Sequence, residues 1–171
     1  MKYVLVLFLA LSWSACEQSN SGKAPAETAA APAPAIDAAA KQFLIDITNL
    51  SWFQAQIAQA ALKKSTDTAI LSLAQGISKQ YLRIKDKAKI VSIPYQIDMP
   101  YFLTHDQNDE VNQLASLDAA AFNAQFLEKI KHNNDVILEK CAGFQTAAPI
   151  DNSFQQLISF CKTTVENNTP K

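Results

Sequence analysis

Glycine is almost missing from this chain: there are three in 171 residues, and only Gly76 and Gly143 fall in the stretch able to fold. Loops that cradle phosphate need closely spaced glycines, so P-loop and dinucleotide-binding motifs are excluded. Basic blocks are missing too. The 15 Lys and Arg face 16 Asp and Glu, net −1, and no aromatic residues interleave with the cations, which argues against nucleic acid as a partner. A transmembrane helix needs ~20 apolar residues, and the run from Tyr3 to Leu11 is far shorter.

That short run is informative for another reason. Lys2 precedes it, and Ser14, Ala15 and Cys16 follow it. A positive charge, an apolar stretch and small residues make a secretion signal, and the cysteine sits where a bacterial lipoprotein signal places the residue that is lipidated and becomes the first of the mature chain. Trp13 stands where the usual lipoprotein box has an aliphatic residue. The competing readings are an ordinary cleaved signal with a chance cysteine, and an uncleaved anchor, for which the run is too short. The expectation is a signal peptide over 1–15, a membrane attachment through lipid on Cys16, and a tether reaching residue 36. Residues 17–36 are rich in Ala, Pro, Ser, Glu and Lys, bury almost nothing, and are expected to stay disordered. Their root-mean-square reach is roughly 25 Å. Cleavage after Ala15 removes Lys2 alone among the charges and leaves a net charge of −2.

From 37 to 168 the periodicity is helical, over a length usual for one domain. Phe43, Ile47, Leu50, Gln54, Ile57 and Ala61 recur at alternating four and three residues and lay one stripe down a first helix. Ser65, Thr66 and Asp67 offer cap oxygens for a second, which carries Ile70, Leu73, Ile77, Tyr81, Ile84, Ala88 and Val91. The short link between them requires an antiparallel pair. A third helix should start near Asp118, run through Phe122, Phe126, Ile130, Ile137 and Leu138 to about Cys141, and stop at Gly143. A fourth opens at Asp151 with Phe154, Leu157, Ile158, Cys161 and Val165. Between the hairpins, 92–117 holds Pro94, Pro100 and a short helix capped at Thr104 with Gln107 three residues on. A connection that long can run the length of a bundle. The fold class is therefore all-α, a ferritin-like four-helix bundle with a long connection between helices 2 and 3.

Phe43-Leu44, the closing Ala61-Leu62-Lys63-Lys64-Ser65, Leu73-Ala74-Gln75, Pro100, Leu114, Leu117, Phe122, Phe126-Leu127 and Lys131-His132 together resemble the bacterial domain-of-unknown-function family four-one-four-two, often labelled predicted outer membrane protein. The resemblance spans almost the whole domain and implies a ferritin-like bundle in the cell envelope, not a known reaction. It also implies where polar residues belong. A glutamate often carried in the family's first helix falls at Gln54, an Asp-His pair of the second at Gln80-Tyr81, and an Asp of the third at Asn123. A further histidine expected in the fourth helix is missing, leaving His132 alone. Di-iron chemistry in bundles needs several inward carboxylates and Glu-x-x-His pairs, so no metal and no cofactor are expected here.

Other chemistry-bearing residues have competing readings. His132 can act as a ligand or proton shuttle, or simply belong to a solvated polar patch, 131–135, which is the preferred reading. His105, with Asp106, Asp109 and Glu110, can hold a cation or merely suit the positive start of a short helix. Cys141 and Cys161 raise the question of a disulfide. With the third helix ending at Cys141 and Cys161 about ten residues, roughly 15 Å, into the fourth, their Cα atoms should lie beyond the ~7 Å a bridge allows, and two buried thiols are expected. The apolar segment 93–103 either seals the bundle or, through Tyr95, Tyr101 and Phe102, offers an aromatic patch to a partner or apolar ligand. Trp52-Phe53 both enter the core only if the buried face is wide.

The function expected from these features is a non-catalytic lipoprotein of the cell envelope with an interaction or structural role, at the outer membrane facing the periplasm, with the inner membrane as the alternative. Its partners would be the membrane, through the lipid on Cys16, and an envelope protein or small ligand. The second class is small-molecule or lipid binding in the bundle or crossover; the third is a ferritin-like metalloprotein. No residue is expected to be catalytic. The candidate binding residues are His132, Tyr95, Tyr101 and Phe102.

Overall fold

The computed structural model describes residues 35–147 and 151–170. The signal peptide, Cys16 and nearly all of the expected tether lie outside the described residues. Within them the regular structure is helical: α1 (Ala38–Lys64), α2 (Thr68–Ser92), α3 (His105–Ser116), α4 (Ala119–Ala147) and α5 (Asn152–Asn168), with a 3-10 turn at Ile93–Tyr95. The chain is all-α, and α1, α2, α4 and α5 form a bundle in which α1 packs on α2 and α4 while α5 packs on α2 and α4. The long connection carries α3 across α1 and α4.

Each helix starts where a short polar side chain can satisfy its unpaired N–H groups. Asp37 accepts from Ala39 N at the head of α1. Asp67 accepts from Ala69 and Ile70 at 2.7 and 3.2 Å at α2, and Asp118 from Ala121 at 2.9 Å at α4. Asp151 accepts from Ser153 and Phe154 at 2.8 and 3.1 Å at α5. Thr104 and Gln107 form the expected reciprocal capping box of α3. Lys64 donates to Ala115 O at 2.6 Å and ties the end of α1 to that of α3.

The stripes read from the sequence face inward. Phe43, Ile47, Ile57 and Ala61 of α1 are buried, as are Ile70, Ile77, Tyr81, Ile84, Ala88 and Val91 of α2, Phe122, Phe126, Ile130 and Ile137 of α4, and Phe154, Leu157, Ile158, Cys161 and Val165 of α5. One end of the core is aromatic. Phe43 stacks on Phe144 with ring centres 4.5 Å apart and planes 9° off parallel, and Phe154 tilts against both. Phe53 is buried, whereas Trp52 is half-buried with the Lys85 ammonium 4.6 Å from its ring centre. Gly76 matters for packing: a Cβ there would lie 3.0 Å from Asn168 Oδ1, so its absence lets the end of α5 approach α2.

One expectation is corrected. Gly143 does not end α4, which continues to Ala147. A glycine stops a helix by turning left-handed, but no described glycine has positive φ, and Gly143 remains inside the helix. Cys141 lies inside α4 and Cys161 inside α5. Both thiols are buried and free, as expected. The Cys141 thiol beside it, followed by burial, holds the Cys161 proton and pushes its pKa up.

Candidate functional site: a buried amide and tyrosine cluster

The middle of the bundle contains a polar layer. Gln54 of α1 is fully buried, as is Tyr81 of α2, and Asn133 and Asn134 of α4 are 5% and 1% exposed. The run 131–135 is thus not simply a solvated patch: Lys131, His132 and Asp135 are exposed, but the two asparagines point into the core. The reason is register. Asn134 lies four residues after Ile130 and three before Ile137, on the stripe that α4 buries.

These groups satisfy one another. Asn133 Nδ2 donates to Gln54 Oε1 at 2.9 Å. Gln54 Nε2 donates to Asn134 Oδ1 at 2.9 Å and to Ile130 O at 3.3 Å. The Tyr81 hydroxyl also donates to Asn134 Oδ1. Asn134 Nδ2 donates to Thr169 Oγ1 at 3.0 Å, and that hydroxyl donates to Val165 O at 2.7 Å. Asn134 is therefore the hub, accepting twice and donating once, and it joins α1, α2, α4 and the end of α5. A buried amide left unpaired costs about 1–3 kcal/mol, so the layer favours one mutual arrangement of the helices over others.

Chemically the layer is neutral. No Asp, Glu, Lys, Arg or His is among the buried described residues. Burial is the largest influence on Tyr81 and pushes its pKa up, outweighing the nearby Gln54 amide, which acts the other way. The phenol therefore keeps its proton and acts as a donor. Among the described residues no group of three His, Cys, Asp or Glu side chains is placed to hold a metal ion. Of the positions that the resemblance implied, Gln54 and Tyr81 meet in this layer. Gln80 is half-buried and accepts from Arg83 at 3.1 Å, and Asn123 is half-buried with an unpartnered Oδ1.

The sequence-derived binding candidates lie elsewhere. His132 is exposed on α4 and lines a hollow of about 160 Å³ with Gln125, Glu128 and Lys129. Tyr95 is half-buried; its hydroxyl donates to Asp151 Oδ2 at 2.7 Å and its ring leans on Phe154. That hydrogen bond raises the tyrosine's pKa and lowers the aspartate's. Tyr95 thus seals the bundle end, as does Met99, which is buried. Tyr101 and Phe102 do not seal it: they are 59% and 83% exposed. His105 faces Asp109 at 3.3 Å, and Glu110 pairs with Lys129, so the acidic cluster of α3 is divided between two partners. Asn133, Asn134 and Thr169 are the residues of the layer that sequence reading missed. The spacing of Asn134 was the available signal.

A family model described as Domain of unknown function (DUF4142) matches residues 25–167. No curated protein and no solved structure matches the chain.

Proposed function

The chain belongs to the DUF4142 family, and from that premise we propose that it is a non-catalytic cell-envelope lipoprotein, its bundle held at the outer membrane, on the periplasmic side, by lipid on Cys16. The observation that carries the non-catalytic part is the neutral layer of Gln54, Tyr81, Asn133 and Asn134, whose hydrogen-bonding groups are spent on one another rather than offered to a substrate. The anchoring part rests on Lys2, the apolar run Tyr3 to Leu11, and Cys16 behind Ser14-Ala15. No described helix is long and apolar enough to cross a membrane.

Fractionating cells that express Cys16→Ser tests the reading. The expected outcome is loss of the protein from the membrane fraction. A variant that remains membrane-bound and is still processed normally refutes lipidation.

A further inference from the structure

Four large apolar side chains stand out in solvent: Ile90 at 65%, Ile93 at 63%, Tyr101 at 59% and Phe102 at 83% exposed. They are not scattered. Ile90 is in the last turn of α2, Ile93 opens the turn that follows, and the chain then returns so that the Lys89 ammonium lies 5.4 Å from the Tyr101 ring centre. Two lysines flank them: Lys87 lines a hollow with Ile90 and Lys89 lies against Tyr101, whereas Arg83 lies over the Phe160 ring and Lys85 over that of Trp52, beside Asp86 at 3.8 Å. The nearby carboxylates are Asp98 and Asp151, the latter accepting from Tyr95. Exposed aromatic and aliphatic side chains rimmed by lysines suit the headgroup region of a bilayer carrying negative charge.

The position in the bundle selects the same partner. α1 and α2 are antiparallel with only 65–67 between them, so the end of α2 lies at the end of the bundle where α1 begins. Residues 17–37 lead from Cys16 into the head of α1, at that end. A lipid on Cys16 would bring this end, rather than the other, to the membrane.

We propose that Ile90, Ile93, Tyr101 and Phe102, with Lys87 and Lys89, form a bilayer-docking face that seats the bundle on anionic lipid. The face depends on the lipid-anchor reading only for its delivery to the membrane. Each contact is weak by itself, and the tether supplies the local concentration that makes them count.

Phe102→Trp tests this in the processed protein, because Trp13 is then removed and Trp52 is the only native tryptophan. Trp52 lies about 20 Å along α1 from its start and serves as the internal control. On vesicles containing brominated phosphatidylglycerol, emission of Phe102→Trp should shift to the blue and be quenched several-fold more than that of the parent. Lys87→Glu with Lys89→Glu, or neutral brominated vesicles, should remove most of that difference. Quenching no greater than that of Trp52, or indifferent to lipid charge, overturns the proposal, and so does a face that serves a protein and leaves the emission unmoved by lipid. Intact mass reads acylation separately: an unacylated chain that still shows lipid-dependent quenching refutes the anchor and keeps the face.

Discussion

Gln54→Glu is expected to cost about 3 kcal/mol at pH 7, and the loss should shrink as the pH is lowered toward 4. A carboxylate at position 54 would lose the amide donor that serves Ile130 O and Asn134 Oδ1 and would gain no buried cation in exchange. Burial therefore raises its pKa. The sign follows from proton counts: a carboxyl with a raised folded-state pKa binds more protons folded than unfolded, so stability falls as pH rises above the unfolded value of about 4.3. A raise to about 7 gives the quoted cost at 1.36 kcal/mol per unit. Thermal unfolding should show a midpoint about 10 °C lower at pH 7. If the glutamate is tolerated at neutral pH, a cation shares the layer and the neutral reading is wrong.

Asn134→Ala should cost about 3 kcal/mol, whereas Tyr81→Phe should cost about 1. Removing the hub leaves the Tyr81 hydroxyl, one Gln54 N–H and the Thr169 hydroxyl without their Asn134 partner at once. Removing the phenol oxygen leaves Asn134 Oδ1 still accepting from Gln54. Urea midpoints at unchanged slope provide the comparison. Equal costs for the two variants would mean that Asn134 is not the hub.

The helices were legible because burial in a bundle follows a 3.6-residue period, and Phe43 through Ala61 or Phe154 through Val165 keep to it. Caps were legible for a local reason: an Asp or Thr needs only the next turn of backbone to do its work, as Asp151 and Thr104 show. What failed depended on tertiary context. Gly143 reads as a stop in isolation, yet α4 runs past it, at a propensity cost of about 1 kcal/mol relative to alanine. The pair Asn133-Asn134 sits among Lys131, His132 and Asp135, and local polarity concealed that the stripe passes through it. Gln54 and Tyr81 fall on the inward stripes by periodicity, but their partners are set by packing between helices and could not be read from one segment. Thr169 lies just past α5 and has no periodicity to reveal it. For the crossover, the choice between sealing and exposure turned on single residues, with Met99 buried and Phe102 bare.

The central claim is that this bundle's polar interior is a neutral structural layer. The most direct measurement is the iron, manganese and zinc content of the processed protein, purified without added metal or chelator, beside that of Tyr81→Phe, which removes the layer's one hydroxyl from α2. With amides and a protonated phenol in place of carboxylates and imidazole, the layer offers no anionic oxygen to a divalent ion. The account predicts metal near zero in both proteins. Stoichiometric metal in the parent, lost in Tyr81→Phe, would contradict it.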